Sequence, residues 1–292
     1  MKPLTSAADP KEEQKALQRI VRLALAEDHV DEDATTLSLR EFDAPVRAEV
    51  VAKAAGVVSG IPAFRETFRL VDAGVRIRSL RHDGDRVETG DVLLELQGME
   101  GSILRAERTA LNFLQRLSGV ATMTRNFVRR LEGTGVTLLD TRKTTPGMRL
   151  LEKRAVRDGG GANHRQHLAD MVMIKDNHIR MTGSIALAVQ AVRRNHPHLP
   201  VEVETQDLNQ FREALALPVD VIMLDNFSDE MVAEAVSMNR GLRRLELSGN
   251  VTLDTITQRV RPGIDYISVG ALTHSYRSLD LSLEIRPLQE KV

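Results

Sequence analysis

The chain has 292 residues, 42% of them hydrophobic, enough for one large domain or two modest ones with a substantial core. Its 40 basic and 41 acidic residues leave a formal net charge of -1, which excludes a global field drawing the protein to nucleic acid or to an anionic membrane, so any anion site is local. The absence of cysteine excludes disulfides, thiolate metal sites and a cysteine nucleophile, and no run approaches a transmembrane span.

The opening stretch, MKPLTSAADPKEEQKALQ, carries no apolar core of signal-peptide length, and a cytoplasmic location is expected. Leu17, Ile20, Val21, Ala24 and Leu25 fall on one helical face and predict an amphipathic helix over residues 11–27. An acidic loop follows, AEDHVDEDATT, whose Asp28 and Asp33 read as solvated charges. The β-like runs VRAEVVAKA, GVVSG, VRIRSLRHDGD and VLLELQG, with a helix over residues 61–71, then predict a small α+β unit. From Ser102, SILRAERTALNFLQRLSGVATMTRNFVRRLEG reads as one long helix, or as two joined near Ser118-Gly119.

Beyond it the rhythm becomes strand, polar tip, helix. The strand candidates are VTLLD, MVMIK, VEVE, DVIML, RRLEL and DYISV, separated by helical patterns such as SIALAVQAVRRN and DEMVAEAVSM. Strands alternating with helices predict a parallel sheet, and so many in one series predict an α/β barrel, although six is short of eight. The residues after these strands are Arg142-Lys143, Lys175-Asp176-Asn177-His178, Glu204-Thr205, Asp225-Asn226, Ser248-Gly249-Asn250 and Gly270-Ala271. In an α/β barrel the carboxyl ends of the strands meet at one mouth, where active sites are built.

The chemistry of those tips is sorted. Arg142, Lys143, Lys175 and the pair His164-Arg165 supply positive charge, Glu204 and Asp225 supply carboxylates, and the small residues of SGN and GA let backbone N–H groups approach a phosphate. Carboxylates beside a phosphate site point to Mg²⁺, which bridges carboxylate and pyrophosphate. An arginine fork suits a planar carboxylate better than lysine does. Taken singly, each residue has a plainer reading. A lone Arg or Lys at a strand end is usually solvated, Glu204 or Asp225 alone can cap the next helix, His164-Arg165 alone is an ordinary surface pair, and GGGANHR alone is a flexible turn. The coincidence of matched chemistry on all six tips favours a site for a carboxylate and a phosphorylated partner.

The segment DTRKTTPGMRLLEKRAVRDGGGANHRQHLADMVMIKDNHI, followed by VEVET, IMLDNFS, LELSGNVTL and GIDYISVGALTHS, closely resembles the quinolinate phosphoribosyltransferases, also called nicotinate-nucleotide pyrophosphorylases (carboxylating). The resemblance runs from the first helix, through AERTALNFLQRLSG, to the end of the chain, and DTRKTTPG, GGGANHR and IKDNH in that order are highly specific. It implies an α/β fold. Residues 1–118 would form an α+β open sandwich completed by the tail 276–292, and residues 119–275 an incomplete, seven-stranded α/β barrel carrying the active site, one strand more than the pattern finds. It also implies a homodimer with active sites shared between subunits.

The implied reaction joins quinolinate to phosphoribosyl pyrophosphate, giving nicotinate mononucleotide, pyrophosphate and CO₂ in NAD biosynthesis, with Mg²⁺ and no organic cofactor. By resemblance, Arg142 grips a carboxylate of quinolinate, with His164, Arg165 and Arg108 of the partner subunit completing the cationic pocket. Lys143 and Lys175 lie between quinolinate and the pyrophosphate, Glu204 and Asp225 face the ribose and Mg²⁺, and Ser248, Gly249, Asn250, Gly270 and Ala271 receive the 5′-phosphate. Two departures stand out. AEDHVDED lacks a glycine usual in that loop, and Leu247 replaces a small residue, which implies a narrower phosphate loop.

Overall fold

The computed structural model describes residues 9–288, so residues 1–8 and the last four residues of the tail lie outside the described residues. The chain divides into two compact units, one of residues 9–125, 144–160 and 273–288, the other of residues 126–143 and 161–272.

The first unit opens with α1 (Pro10–Glu27), capped by Asp9, whose side chain accepts the Lys11 N–H. Its buried residues Leu17, Val21 and Leu25 are the face expected from the sequence. The acidic loop is more ordered than its composition suggests: Val30–Glu32 is a 3-10 turn and Ala34–Ser38 a short helix, α2. The Asp33 carboxylate caps that helix by accepting the Thr36 hydroxyl and the N–H groups of Thr35 and Thr36, and these bonds hold its carboxyl below the usual range. There follow β1 (Pro45–Ala52), β2 (Gly56–Val57), α3 (Ile61–Val71), β3 (Arg76–Ser79), β4 (Arg86–Val87), β5 (Val92–Met99) and α4 (Glu100–Leu131).

Strands β3, β5 and β1 pair antiparallel in that order. Val46, Ala48 and Val50 of β1 alternate into a core closed by Phe64 and Phe68 of α3 and by Ile103, Ala110, Leu111 and Leu114 of α4. Burying each such ring or branched chain stabilises the unit by about 1.5–3 kcal/mol. The long helix is unbroken at Ser118-Gly119. Glycine is required there for space, since a Cβ on Gly119 would lie 2.4 Å from the Arg277 carbonyl oxygen.

The chain continues through β6 (Thr137–Leu139), α5 (Arg149–Asp158), β7 (Val172–Ile174), α6 (Asp176–Thr182), α7 (Ile185–Asn195), β8 (Val201–Thr205), α8 (Leu208–Leu215), β9 (Val221–Asp225), α9 (Asp229–Asn239), β10 (Arg244–Ser248), α10 (Ile256–Arg259), β11 (Tyr266–Ser268) and α11 (Ala271–His274). In the second unit six parallel strands form one sheet in the order β6-β11-β10-β9-β8-β7, which keeps chain order around a ring opened between β6 and β7. A seventh strand position is reduced to one parallel bridge, Ala162 to Leu139, with the Ala162 N–H donating to Leu138 O at 2.8 Å and the Asp140 N–H to Ala162 O at 3.2 Å. This is the open α/β barrel that the resemblance implies. A single residue has no periodicity, so pattern alone finds only the other six.

Register fixes which side chains look into the barrel, because paired residues of parallel strands face the same side. Glu202 pairs with Val221 and Met173, Glu204 with Met223, Glu246 with Met223 and Tyr266, and Ser248 with Asp225. These line the interior, where Leu139, Met171, Val221 and Tyr266 make an apolar plug. Val201, Val203, Leu224, Leu245, Leu247 and Ile267 point the other way and are fully buried. Leu247 therefore lies on the sheet face opposite Glu246 and Ser248, away from the interior.

The last strand, β12 (Leu281–Pro287), returns to the first unit and pairs antiparallel with β1, completing a four-stranded sheet. Helix α5 also belongs to that unit. Arg157 is ion-paired with Glu13, and Arg154 lies between Glu13 and Asp83, at 3.9 and 3.5 Å. Asp83 accepts the Ile61 N–H at 3.0 Å and is mostly buried; desolvation, with Asp158 nearby, pushes its carboxyl up to about 6 despite Arg154.

The folded state therefore holds this proton more tightly than the unfolded chain. The group's contribution to stability is largest at low pH and is lost as pH rises from about 4 to about 6. Asp83→Asn is expected to remove that slope, by at most about 3 kcal/mol. Denaturant midpoints of both proteins between pH 4 and 8 check it. Parallel profiles would show that Asp83 titrates normally.

Candidate active site

Two segments flank α5, and each is stapled by side chains. After β6, Asp140 is fully buried: Oδ1 accepts the His164 backbone N–H at 3.0 Å and Oδ2 the Asn163 amide at 2.5 Å. Thr141 Oγ1 accepts the Lys143 N–H at 3.1 Å, and Glu152 accepts the Thr145 N–H at 2.9 Å. Between these staples Arg142 is half-buried, with an Nε that is shielded from solvent and has no hydrogen-bond partner among the described residues, while Lys143 is exposed. A buried unmatched guanidinium donor is costly unless an anion meets it.

The second segment, residues 162–171, runs between the bridge at Ala162 and β7. GGGANHR is not a slack turn, since a Cβ on Gly159 would lie 2.4 Å from Ala121 O. His164 is 4% exposed; its Nδ1 accepts the Arg165 N–H at 2.7 Å and its Nε2 lies 3.0 Å from Glu202 Oε2 and 3.6 Å from Glu246 Oε2. Arg165 is buried and donates to the Met171 carbonyl at 3.1 Å. Burial and then the neighbouring Arg142 charge hold its guanidinium below the usual arginine value, with Glu202 opposing. Two like charges placed this way favour an anion between them.

Glu202 and Glu246 are a finding that the sequence pattern conceals. Both are fully buried inside the barrel, with Ser268 beside Glu246. Burial pushes both carboxyls far above the usual range, and the facing Glu202 pushes Glu246 further. Two facing buried carboxyls disfavour each other's charged form. The only sign in the sequence is a charged residue at an inward position of a strand buried on both faces, as in VEVE and LEL.

The remaining tips complete the mouth. In IKDNH the residues divide the work: Lys175 is the N-cap of α6 and its Nζ is ion-paired with Glu204, while His178 Nδ1 accepts the Lys175 N–H at 3.0 Å and so fixes the helix start. Asp225 accepts the Asn226 amide at 2.9 Å, and Asn226 accepts the Asn250 amide at 3.2 Å. Asn226 and Asn250 both have positive φ, 57° and 51°, a conformation asparagine tolerates best among residues with side chains. Gly249 between them has φ 94°, and a Cβ there would lie 2.1 Å from Asn226 Oδ1. Asn226 thus joins the tips of β9 and β10, a role that sequence did not assign. Gly270 lies two residues beyond β11 and Ala271 opens α11.

The second unit therefore holds Arg142, Lys143, His164, Arg165, Lys175, Glu204, Asp225, Ser248, Gly249, Asn250, Gly270 and Ala271. The carboxyl end of the sheet carries Lys175 beside Glu204 and joins Asp225 to Asn250 through Asn226. Arg108 lies in the first unit, on α4, with its side chain 64% exposed and Glu107 4.0 Å away.

Comparison with known proteins gives the same outline. Residues 33–118 match the model of the quinolinate phosphoribosyl transferase N-terminal domain and residues 120–284 that of the C-terminal domain. A probable nicotinate-nucleotide pyrophosphorylase (carboxylating) of Bacillus subtilis is 44% identical over 246 residues, covering 84% of this chain and 85% of its own. A chloroplastic nicotinate-nucleotide pyrophosphorylase (carboxylating) of Arabidopsis thaliana is 40% identical over 290 residues, covering 92% and 82%. The solved nicotinate-nucleotide pyrophosphorylase of Francisella tularensis superposes with a TM-score of 0.90 at 38% identity, over 98% of this chain and 100% of that one. The two family domains, the open barrel and its two arginines agree: the chain belongs to the quinolinate phosphoribosyltransferase family.

Proposed function

We propose that this chain transfers the phosphoribosyl group of phosphoribosyl pyrophosphate to the ring nitrogen of quinolinate, with loss of the 2-carboxylate, giving nicotinate mononucleotide, pyrophosphate and CO₂ in NAD biosynthesis. The observation that carries this reading is Arg165, buried beside the charge of half-buried Arg142, whose Nε has no hydrogen-bond partner among the described residues; two such cations suit a dianion. Pyridine-2,3-dicarboxylate supplies two adjacent carboxylates. Lys143 and Lys175 stand between them and the pyrophosphate, and Ser248, Gly249, Asn250, Gly270 and Ala271 receive the 5′-phosphate.

Glu204 and Asp225 are hard oxygen donors at the ends of adjacent strands, and they fit Mg²⁺ as it is commonly bound, by one or two carboxylates plus substrate phosphates. Held there, Mg²⁺ would supply charge neutralisation for the departing pyrophosphate. Glu204, which is ion-paired with Lys175, and Asp225 face the sugar, where positive charge grows as the pyridine nitrogen attacks the anomeric carbon. The alkylated ring nitrogen is cationic and stabilises the carbanion left at C2 when CO₂ departs. Holding two highly charged substrates in line accounts for a large share of the rate.

The active unit is a homodimer in which the partner's Arg108 completes the quinolinate pocket. This is supported by the exposure of Arg108 and of Leu104, one helical turn away. The enzyme acts in the cytoplasm; among the described residues no helix is long and apolar enough to cross a membrane.

The direct test is an assay with quinolinate, phosphoribosyl pyrophosphate and Mg²⁺ that follows CO₂ and nicotinate mononucleotide. No product sinks the reading. Asp225→Asn is expected to lower kcat about 100-fold or more while leaving quinolinate affinity within about threefold, since the lost charge matters most as the sugar becomes cationic. Steady-state kinetics and calorimetry decide it. Lost quinolinate binding at unchanged kcat would move Asp225 into the quinolinate pocket.

A further inference from the structure

The wall formed by Asn163, His164 and Arg165 is held residue by residue. Asp140 accepts the Asn163 amide and the His164 N–H, His164 accepts the Arg165 N–H, and Met171 accepts the Arg165 guanidinium. At the centre is the His164 ring. Because Nδ1 accepts a backbone N–H at 2.7 Å, the ring proton is on Nε2, and Nε2 faces Glu202 at 3.0 Å and Glu246 at 3.6 Å. Both ring nitrogens are engaged inside the protein. The imidazole presents no donor to a ligand unless this arrangement breaks.

The two glutamates sit on β8 and β10, strands separated by β9, and meet across the barrel interior. Neither carboxyl is exposed. They give His164 a fixed acceptor on rigid strands, while Glu202 lies close enough to Arg165 to act on its charge. A neighbour mounted on a strand sets a side chain more accurately than one on a loop.

We propose that His164 is a positioning residue braced by Glu202 and Glu246, and that together they set the place of the Arg165 guanidinium where it meets a substrate carboxylate. The inference rests on the quinolinate reading given above, which it deepens: the sequence resemblance puts His164 among the groups touching quinolinate, whereas here His164 acts through Arg165. Glu202 and Glu246 acquire a role in specificity without contacting substrate.

A double-mutant cycle tests it, with quinolinate affinity read by calorimetry and the KM for phosphoribosyl pyrophosphate as the second readout. Glu202→Leu removes the acceptor of the His164 ring and is expected to weaken quinolinate at least about tenfold, leaving the other KM within about twofold. Glu246→Gln retains a donor where a protonated carboxyl had one and is expected to keep quinolinate affinity within about threefold. In an Arg165→Lys background Glu202→Leu should have no further effect on quinolinate, because the residue it positions is already gone. If Glu202→Leu does not fold, His164→Gln in the same two backgrounds carries the cycle.

Losses that add in the double variant overturn the inference, since they show His164 or the glutamates acting on quinolinate independently of Arg165. Equal losses for both substrates overturn it too, as the mark of general damage. So does stoichiometric metal in the purified protein that disappears in Glu246→Gln, because the three ligand atoms lie within 4.8 Å and such an ion would make them a cation site. Failure of the unaltered protein to bind quinolinate overturns the proposed function, and this inference with it; additive losses overturn the inference alone.

Discussion

Nicotinic acid is expected to be turned over at least about 10³-fold less efficiently than quinolinate, measured as kcat/KM with phosphoribosyl pyrophosphate saturating. The two acids differ by the 2-carboxylate. Among the described residues Arg142 Nε is shielded and unmatched, and Arg165 is buried beside a like charge, so under the proposed function a ligand with two carboxylates satisfies both. With one carboxylate missing, a buried cation stays unpaired, which costs far more than a lost surface ion pair. The chemistry argues the same way, because release of CO₂ has no counterpart with nicotinic acid. Turnover of the two acids within about tenfold of each other would mean that the arginines do not select substrate.

Mixed dimers should recover activity that neither parent has. Arg108→Ala and Lys143→Ala, each expected to be inactive alone, are refolded together. In a mixed dimer the barrel of the Arg108→Ala chain keeps Lys143 and borrows an intact Arg108, whereas the other barrel lacks both. Random pairing at equal amounts makes about half the dimers mixed, with one good site in two, so about a quarter of the unaltered activity is expected. If Arg108 served its own barrel, every site in the mixture would lack one group or the other. Absence of recovery with mixed dimers demonstrated by mass would exclude the shared site. The Arg108 side chain is 64% exposed with Glu107 4.0 Å away, so it is accessible to the test.

Much of this arrangement is legible in the sequence because it comes from patterns the chain repeats. Apolar runs such as VTLLD and DVIML gave the sheet, and their polar continuations named the tips, because a parallel strand buried on both faces is apolar until it leaves the sheet. What escaped has local causes. The seventh strand is one bridge at Ala162. Helix α2 hides in an acidic stretch because a single cap, Asp33, organises it. Helix α5 begins without a side-chain cap and lies in RLLEKRAVRD, a stretch rich in charge, part of which is engaged with Glu13 and Asp83. Glu202 and Glu246 are hidden in the pattern because a glutamate in a short strand reads as outward-facing until the register is known.

The ring of strands stops at Ala162 and resumes at Val172, and the stretch between them is fastened by side-chain acceptors, Asp140, His164 and Asp170, instead of by a β ladder. A laddered strand can change only by keeping its register, since a slip of one residue turns every side chain over. A stretch fastened at separate points obeys no such rule. Its spacing and chemistry can drift one substitution at a time while the sheet beside it stays intact. Within this architecture, the stretch that carries His164 and Arg165 is tied to the sheet by side chains and not by register, so a substitution at one fastening, such as Asp140 or Asp170, would shift it without turning any strand over.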